Sequence, residues 1–449
     1  MSVQKQVKLK ENEQKFHNRR NRLTKLIRGD VALIPSAAQL PRGRDQEFPI
    51  EQDRDFYYFT GFDEPSSLLV LSGTKSGPRS ILYLRDRHPS QEKWYGERLG
   101  IMRAKRRFNL DEVRNIETLS TDLPEILRGA HSIHLPLGLN AKLDNRVLSI
   151  LSSQSGPTTD SPIAISDLRV LTAEMRFVKE RDEIASIKHA IDITTRSFFE
   201  LFPQIRRLSS ERHGARVLES LFAKHGAHGL AFDTIFASGK NATTLHHEPA
   251  LSPIWKKELL LIDAGASYRG YAADITRTVP ASGRFTSAQA EIHDLVYEAL
   301  RVAISKVKPG ATRRQIHEAA CRIFCDGLTE LKILKGGAAA NFEEKKYQRF
   351  FPHYIGHWLG LDVHDVNPIS ASLDNPRARL DSKERPLLPG VLLTLEPGLY
   401  FDAKDDKIPK KYRGIGVRLE EDILVTANGA AVLTSKLPVA RSDIEAMMN

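Results

Sequence analysis

Cysteine is nearly absent: 449 residues contain only Cys321 and Cys325, too few for a disulfide scaffold. The two stand one helical turn apart within Gln315 to Leu328, where apolar positions recur at helical spacing. They therefore read as small residues on a buried helix face rather than as a redox or metal pair. No apolar run approaches the length of a membrane span, so no membrane role is expected. The first thirty residues also lack an apolar stretch and interleave Lys and Arg with Glu11, Glu13 and Asp30. That pattern fails as a secretory signal and is more acidic and poorer in Ser than a mitochondrial presequence should be, so the cytoplasm is the expected location and a mitochondrial one the weaker alternative. Short repeats and low-complexity tracts are missing as well.

What the chain does have is bulk. With 41% hydrophobic and 27% charged residues it reads as globular, and its length calls for two domains, drawn at 1–175 and 176–449. The formal charge of +10 raises nucleic acid as a partner. Its distribution argues otherwise. Arg19, Arg20, Arg22, Lys25 and Arg28 form one cluster and Arg103, Lys105, Arg106 and Arg107 another, without the interleaved aromatics of a base-stacking platform. A solvated face or a partner-subunit surface fits better, and no specific nucleic acid is expected.

The first half reads as α/β. Asp55 to Leu71 carries aromatic and β-branched residues, a Gly-Phe-Asp-Glu-Pro turn and an apolar strand; Ser80 to Leu84 supplies another strand. Helical patterns cover Leu110 to Arg114 and Leu123 to Arg128, and Ser152 to Pro162 reads as a connecting loop. From Lys179 a helical apolar face begins a second domain, with further helices over Ser210 to His225, Ser287 to Lys306 and Arg313 to Leu331. Strands dominate the end.

The most informative run is LLLIDAGASYRGYAADITRTV, a hairpin with Asp263 ending an apolar strand and Asp274 on the return. A turn centred on Tyr268 and Arg269 places the two acids directly opposite, roughly 5 Å apart. Carboxylates paired beside an apolar strand are costly without cations or shared protons. Taken alone, each could also be an ordinary turn residue. Glu396 again ends an apolar strand, in VLLTLEPGLY, and Glu420 interrupts one in GIGVRLEEDILVT. Between them FPHYIGHWLGLDVHD holds His353, His357 and His364. His353 and His357 are spaced like a helical zinc pair, yet no Glu follows His353 as the zinc-peptidase motif requires. Four carboxylates balance two divalent ions, with His357 as a neutral ligand. An oxygen-rich set with one imidazole favours manganese, with cobalt and zinc as competitors.

Asp263, Asp274, His357, Glu396 and Glu420, in that order, resemble the metal set of the methionine aminopeptidase, aminopeptidase P and prolidase superfamily. YYFTGFDEP, TTLHH, HWLGLDVHD, LTLEPGLYF and KYRGIGVRLEEDILVT look like bacterial aminopeptidase P across most of the chain. The resemblance implies an N-terminal creatinase/prolidase-like α/β domain and a C-terminal pita-bread catalytic domain, an α/β (α+β) protein. It implies catalytic roles for His246, His353, His364, Glu396 and Arg418, and substrate contacts from His246, His364, Tyr400 and Trp94, which in oligomeric relatives reaches a neighbouring subunit. A homo-oligomer, dimer or tetramer, is expected. The long stretch Val366 to Pro389 and the basic Met102 to Arg107 depart from the family pattern and are expected in loops.

The activity implied is release of the first residue from peptides with proline in second position, by attack of a hydroxide bridging two metal ions. His353 or His364 is expected to donate to the carbonyl oxygen, and Glu396 to shuttle the proton. Proline has no amide hydrogen and a fixed φ, which defeats peptidases that bind extended strands. Two alternatives stand beside this one: a prolidase acting on Xaa-Pro dipeptides, and a non-catalytic pita-bread binding protein.

Overall fold

A computed structural model of the chain describes residues 3–73, 79–153, 161–372, 375–379 and 381–448. They form two compact units, Met1–Met175 with Ser370–Ala378, and Arg176–Ile369 with Arg379–Asn449.

The first unit is built on a mixed six-stranded sheet, ordered Glu112–Asn115, Arg79–Leu84, Leu68–Ser72, Val31–Pro35, Ser132–Leu135 and Ala164–Asp167. Val31–Pro35 and Leu68–Ser72 are buried throughout, as central strands covered on both faces must be. Val31, Leu33, Val70 and Tyr83 pack on Leu123 and Leu127 of the helix Leu119–Leu127.

The structure resolves one run left open and changes other expectations. The aromatic run before the Gly-Phe-Asp-Glu-Pro turn is a helix, Arg54–Thr60: Asp53 caps it by accepting from the Phe56 N–H at 2.8 Å, and Gly61 ends it at φ 59°. Leu110 to Arg114 runs instead into the edge strand Glu112–Asn115. The basic Met102 to Arg107 lies in a helix, Gly100–Arg107, not a loop. The other basic cluster is not simply a solvated face either. Arg19 and Arg20 are 2% and 1% exposed; Arg19 donates to Tyr58 O at 3.1 Å and Arg20 to Phe59 O at 2.8 Å and Asn109 O at 2.6 Å. These guanidiniums satisfy carbonyls at the end of Arg54–Thr60 and beyond Gly100–Arg107.

In the second unit the expected helices appear as Arg181–Leu201, Glu211–Lys224, Ser287–Lys306 and Arg313–Glu330. Thr286 with Gln289, and Thr312 with Gln315, close capping boxes at the last two. Ile292, Val296 and Leu300 pack on Ile316, Ala320 and Phe324, and the same core takes in Leu393, Leu395, Val417 and Ile423. Cys321 and Cys325 belong to it, and burial pushes their thiols up to about 12 and about 11, so both stay unreactive. The sheets include Ile235–Ser238 with Leu259–Ala264 and Ile275–Pro280, Gly229–Leu230 with Ala266–Tyr268 and Tyr271–Ala272, Leu392–Leu395 with Glu421–Thr426 and Gly429–Val432, and the pair Gly398–Tyr400 with Gly416–Arg418.

A buried ion cluster anchors the start of this unit. Asp365, 5% exposed, meets Arg176 Nη2 at 2.6 Å and Lys179 Nζ at 2.9 Å. Burial pushes its carboxyl up, but Lys179 and Arg176 outweigh that and hold it at about 2. A Cβ on Gly360 would lie 2.2 Å from Asp365 Oδ2. The stretch Val366 to Pro389 contains a two-stranded ribbon, Ser370–Ser372 with Asn375–Arg379, where a loop was expected; 373, 374 and 380 lie outside the described residues. So does 154–160, most of the connecting loop expected over Ser152 to Pro162.

Candidate metal centre

The hairpin that carries the first two acids turns one residue later than the sequence suggested. Arg269 and Gly270 take φ 52° and 78°, the twist-matched geometry for a two-residue connection, and Tyr268 pairs with Tyr271. Asp263 therefore faces Thr276, not Asp274. Because the offset is two residues, Asp274 stays on the same face, as a diagonal neighbour. The backbones come close at Gly265, where a Cβ would lie 1.7 Å from Ala273 O.

Asp274, His357 and Glu420 offer ligand atoms that all lie within 4.8 Å of one another. His357 Nε2 is 3.4 Å from Asp274 Oδ2 and 3.8 Å from Glu396 Oε1. His353 and His357 sit in an irregular segment, not on a helix. The His357 Nδ1 lies 3.1 Å from Trp358 O; a carbonyl only accepts, so Nδ1 carries a hydrogen and Nε2 is the ring atom left to face the acids as a ligand. Glu396 follows strand Leu392–Leu395, with its N–H on Ile355 O at 2.8 Å. Glu420 sits between Gly416–Arg418 and Glu421–Thr426, held by the Thr276 hydroxyl at 2.8 Å.

The arrangement is electrostatically unsettled without cations. Asp263 Oδ1, Asp274 Oδ1 and Glu420 Oε1 are buried and accept no hydrogen bond, a condition that costs free energy. Burial raises the Asp274 carboxyl well above its usual range, with Asp263 next in effect, and burial and Asp274 do the same to Glu420. Oxygen atoms without donors, clustered around one imidazole, are the donor set that hard or borderline divalent ions take. These residues fit such ions.

Around the acids runs a directed hydrogen-bond chain. Arg418 Nη2 donates to Asp263 Oδ2 at 2.5 Å and Nη1 to the Tyr400 oxygen at 3.0 Å. His353 Nδ1 lies 2.8 Å from Tyr354 O, so it donates there, and its Nε2 accepts from the Tyr400 hydroxyl at 2.9 Å. Burial drives His353 down to about 3, so the ring is neutral. With both nitrogens engaged, His353 presents no N–H to a substrate oxygen, which leaves His364 of the two expected donors.

These groups open into a cleft of about 1160 Å³ within the second unit, lined also by His246 and His364. The His364 ring lies 3.9 Å from that of His357, centroid to centroid. Trp94 belongs to the first unit, on helix Pro89–Tyr95, and is 84% exposed.

Several supporting residues escape a reading of the sequence. Asp422, fully buried, accepts from the Asp274 N–H at 3.2 Å. Arg277, fully buried, donates to Glu420 O at 2.6 Å and to Glu421 Oε1 at 2.9 Å. The signal for Asp422 and Glu421 is three consecutive acids inside LEEDIL, where a strand should hide them. Glu211, also fully buried, accepts from Ser238 N, Asn241 Nδ2, His247 Nε2 and Ala250 N. It ties down the loop that carries His246, and nothing local marks it.

Residues 185–427 match Metallopeptidase family M24, and residues 16–134 match Aminopeptidase P, N-terminal domain. The chain is 36% identical over 440 residues to the Xaa-Pro aminopeptidase of Escherichia coli, covering 97% of each protein. The chain belongs to the Xaa-Pro aminopeptidase family. The family's enzyme from Haemophilus influenzae is 35% identical over 438 residues, again 97% of each. Zinc-substituted E. coli aminopeptidase P in complex with product superposes with a TM-score of 0.91 at 35% identity, over 97% of this chain and 98% of that one. The fold is accordingly that of the Xaa-Pro aminopeptidases, an aminopeptidase P N-terminal domain followed by a pita-bread metallopeptidase domain.

Proposed function

We propose that this chain is a Xaa-Pro aminopeptidase that hydrolyses the bond before a second-position proline with two divalent metal ions, most suitably manganese. The carrying observation is the cluster of donor-free buried carboxylate oxygens around His357 Nε2, opening into a peptide-sized cleft. Asp263, Asp274, His357, Glu396 and Glu420 are the proposed ligands. Once bound, such ions supply a water acidic enough to act near neutrality and a Lewis acid for the scissile carbonyl.

The chain's own residues would do the rest. Arg418 and Tyr400 hold Asp263 and His353 in place through the hydrogen-bond chain described above. Glu396, the most solvent-accessible of the proposed ligand carboxylates, is the proposed group that passes a proton to the leaving proline nitrogen. His364 is the proposed donor toward the carbonyl oxygen, and with His246 it forms the proposed wall for the proline ring. Trp94, exposed on the first unit, is a proposed substrate contact resting on resemblance.

The prolidase reading is not favoured, because the Xaa-Pro aminopeptidases are matched over 97% of both chains. Comparing an Xaa-Pro dipeptide with an Xaa-Pro-Xaa tripeptide tests this: the tripeptide should be the better substrate, and cleavage of the dipeptide alone overturns the reading. Chelation should abolish activity and manganese restore it better than zinc or cobalt; full activity of metal-free protein would end the metal proposal. Among the described residues no helix is long and apolar enough to cross a membrane. The proposed cytoplasmic location is checked by fractionation and the proposed dimer or tetramer by light scattering.

A further inference from the structure

We infer that Arg212 is a specificity-determining residue of this cleft, selecting peptides with a carboxylate downstream of the scissile bond. The carboxylate is either the free C-terminus of a short peptide or an Asp or Glu side chain. This rests on the aminopeptidase reading and deepens it.

The cleft has a polarity. Its floor holds Asp263, Asp274, Glu396 and Glu420, and its outer wall is formed by helix Glu211–Lys224 and by Glu248 and Pro249. An aminopeptidase substrate enters with its ammonium end toward the reacting centre, so the chain beyond the proline runs toward that outer wall. At about 1160 Å³ the space exceeds the ~300–1,000 Å³ of pockets that hold one small ligand. It accommodates residues past the proline.

On the wall Arg212 stands out by what it does not do. Its backbone N–H is tied to Ala250 O at 3.0 Å, and its Nε to Pro249 O at 3.3 Å. The residue is exposed and the Nε bond is the tether of its guanidinium, while both Nη groups remain without an acceptor or an acid partner among the described residues. Arg216, one turn along, is different: it pairs with Glu219, so its charge is already answered. Asp233 and Glu248 also line the cleft, so the wall has no general positive field. Selection must then come from direct contact, for which an exposed guanidinium tethered at Nε with two free Nη groups is suited: it can grip a carboxylate through paired hydrogen bonds.

The test uses full-length, metal-loaded enzyme and matched peptides. Xaa-Pro-Ala-Asp and Xaa-Pro-Ala-Asn amides separate side-chain acids from amides, and tri-, tetra- and pentapeptides as free acids or amides separate the C-terminal source. The wild type should favour the carboxylate at one chain position by roughly 10-fold in kcat/KM, mainly through KM, as expected for a charge-assisted hydrogen bond. Arg212→Ala should erase the ratio, Arg212→Lys should keep part of it, and Arg212→Glu should favour a lysine peptide instead. Arg216→Ala should keep the ratio. Because each ratio is taken within one variant, loss of folded enzyme does not mimic the effect. Cleavage without preference in the wild type, or a preference that survives Arg212→Ala, overturns this inference alone. A wild type that cleaves none of the peptides overturns the aminopeptidase reading and this inference with it.

Discussion

Glu211 Oε2 lies 2.7 Å from His247 Nε2, joining the first turn of helix Glu211–Lys224 to the loop that presents His246. The carboxylate is fully buried. Burial pushes its pKa up, but Asn241, His247 and the Ser238 and Ala250 amides outweigh that and leave it lowered. Glu211→Gln turns one acceptor into a donor facing other donors. It should lower stability by about 1–3 kcal/mol and raise KM for an Xaa-Pro peptide more than it lowers kcat. Denaturant unfolding and steady-state kinetics check both; an unchanged KM would separate this clasp from the substrate site.

The Tyr400 hydroxyl links Arg418 to His353. Tyr400→Phe leaves the ring packed but breaks that link. We expect a fall in kcat of roughly 10-fold, the scale seen for outer-shell partners of metal sites, with little change in Tm. Normal kcat in the variant would remove Tyr400 from the supporting network.

Asp274→Asn makes opposite predictions for the loaded and metal-free protein. Burial and the charge of Asp263 both disfavour ionised Asp274, so removing that charge should raise the Tm of metal-free protein or leave it unchanged. With metal present, the loss of a ligand should cost more than the ~100-fold that loss of an outer-shell partner can cause, and added manganese should no longer raise Tm. Calorimetry with and without the ion tells the two effects apart. A lower metal-free Tm would contradict the repulsion argument.

His293, fully buried, is pushed down to about 3, first by burial and then by Arg441 and Arg277; its ring packs on Phe285. A histidine whose folded pKa is depressed is neutral in the fold and takes up a proton on unfolding. Its penalty is therefore absent above about 6.5 and grows as pH falls toward 3, by roughly 1.4 kcal/mol per pH unit. His293→Phe should flatten the loss of stability between pH 6.5 and 4. Identical acid-unfolding curves for variant and wild type would refute it.

The proposed ligands were legible because each acid stands where an apolar strand should exclude it, and a single chain order joins them. The register was less so. A turn displaced by one residue, from Tyr268 and Arg269 to Arg269 and Gly270, shifts the pairing by two, and only the period of a strand kept Asp274 on the right face. Arg54–Thr60 was obscured by its aromatics, which suit a strand by propensity, although its caps Asp53 and Gly61 were readable. The edge strand Glu112–Asn115 is half exposed and offers little hydrophobic pattern. Arg19, Arg20, Glu211 and Asp422 share one difficulty: what makes a buried charge tolerable lies in partners far along the chain, which local composition does not contain.

Asp365 follows His364 directly, and its cationic partners Arg176 and Lys179 stand where the second unit begins. The opening residues of that unit thus brace the loop beside the reacting centre. Recombination between relatives would have to respect this. A crossover placed after Lys179 would separate a buried acid from its counter-ions and bring together sequences that had not adapted to each other, whereas one placed before Arg176 transplants the cluster intact. The practical limit of modularity in this protein is set by three side chains, not by the composition of a linker.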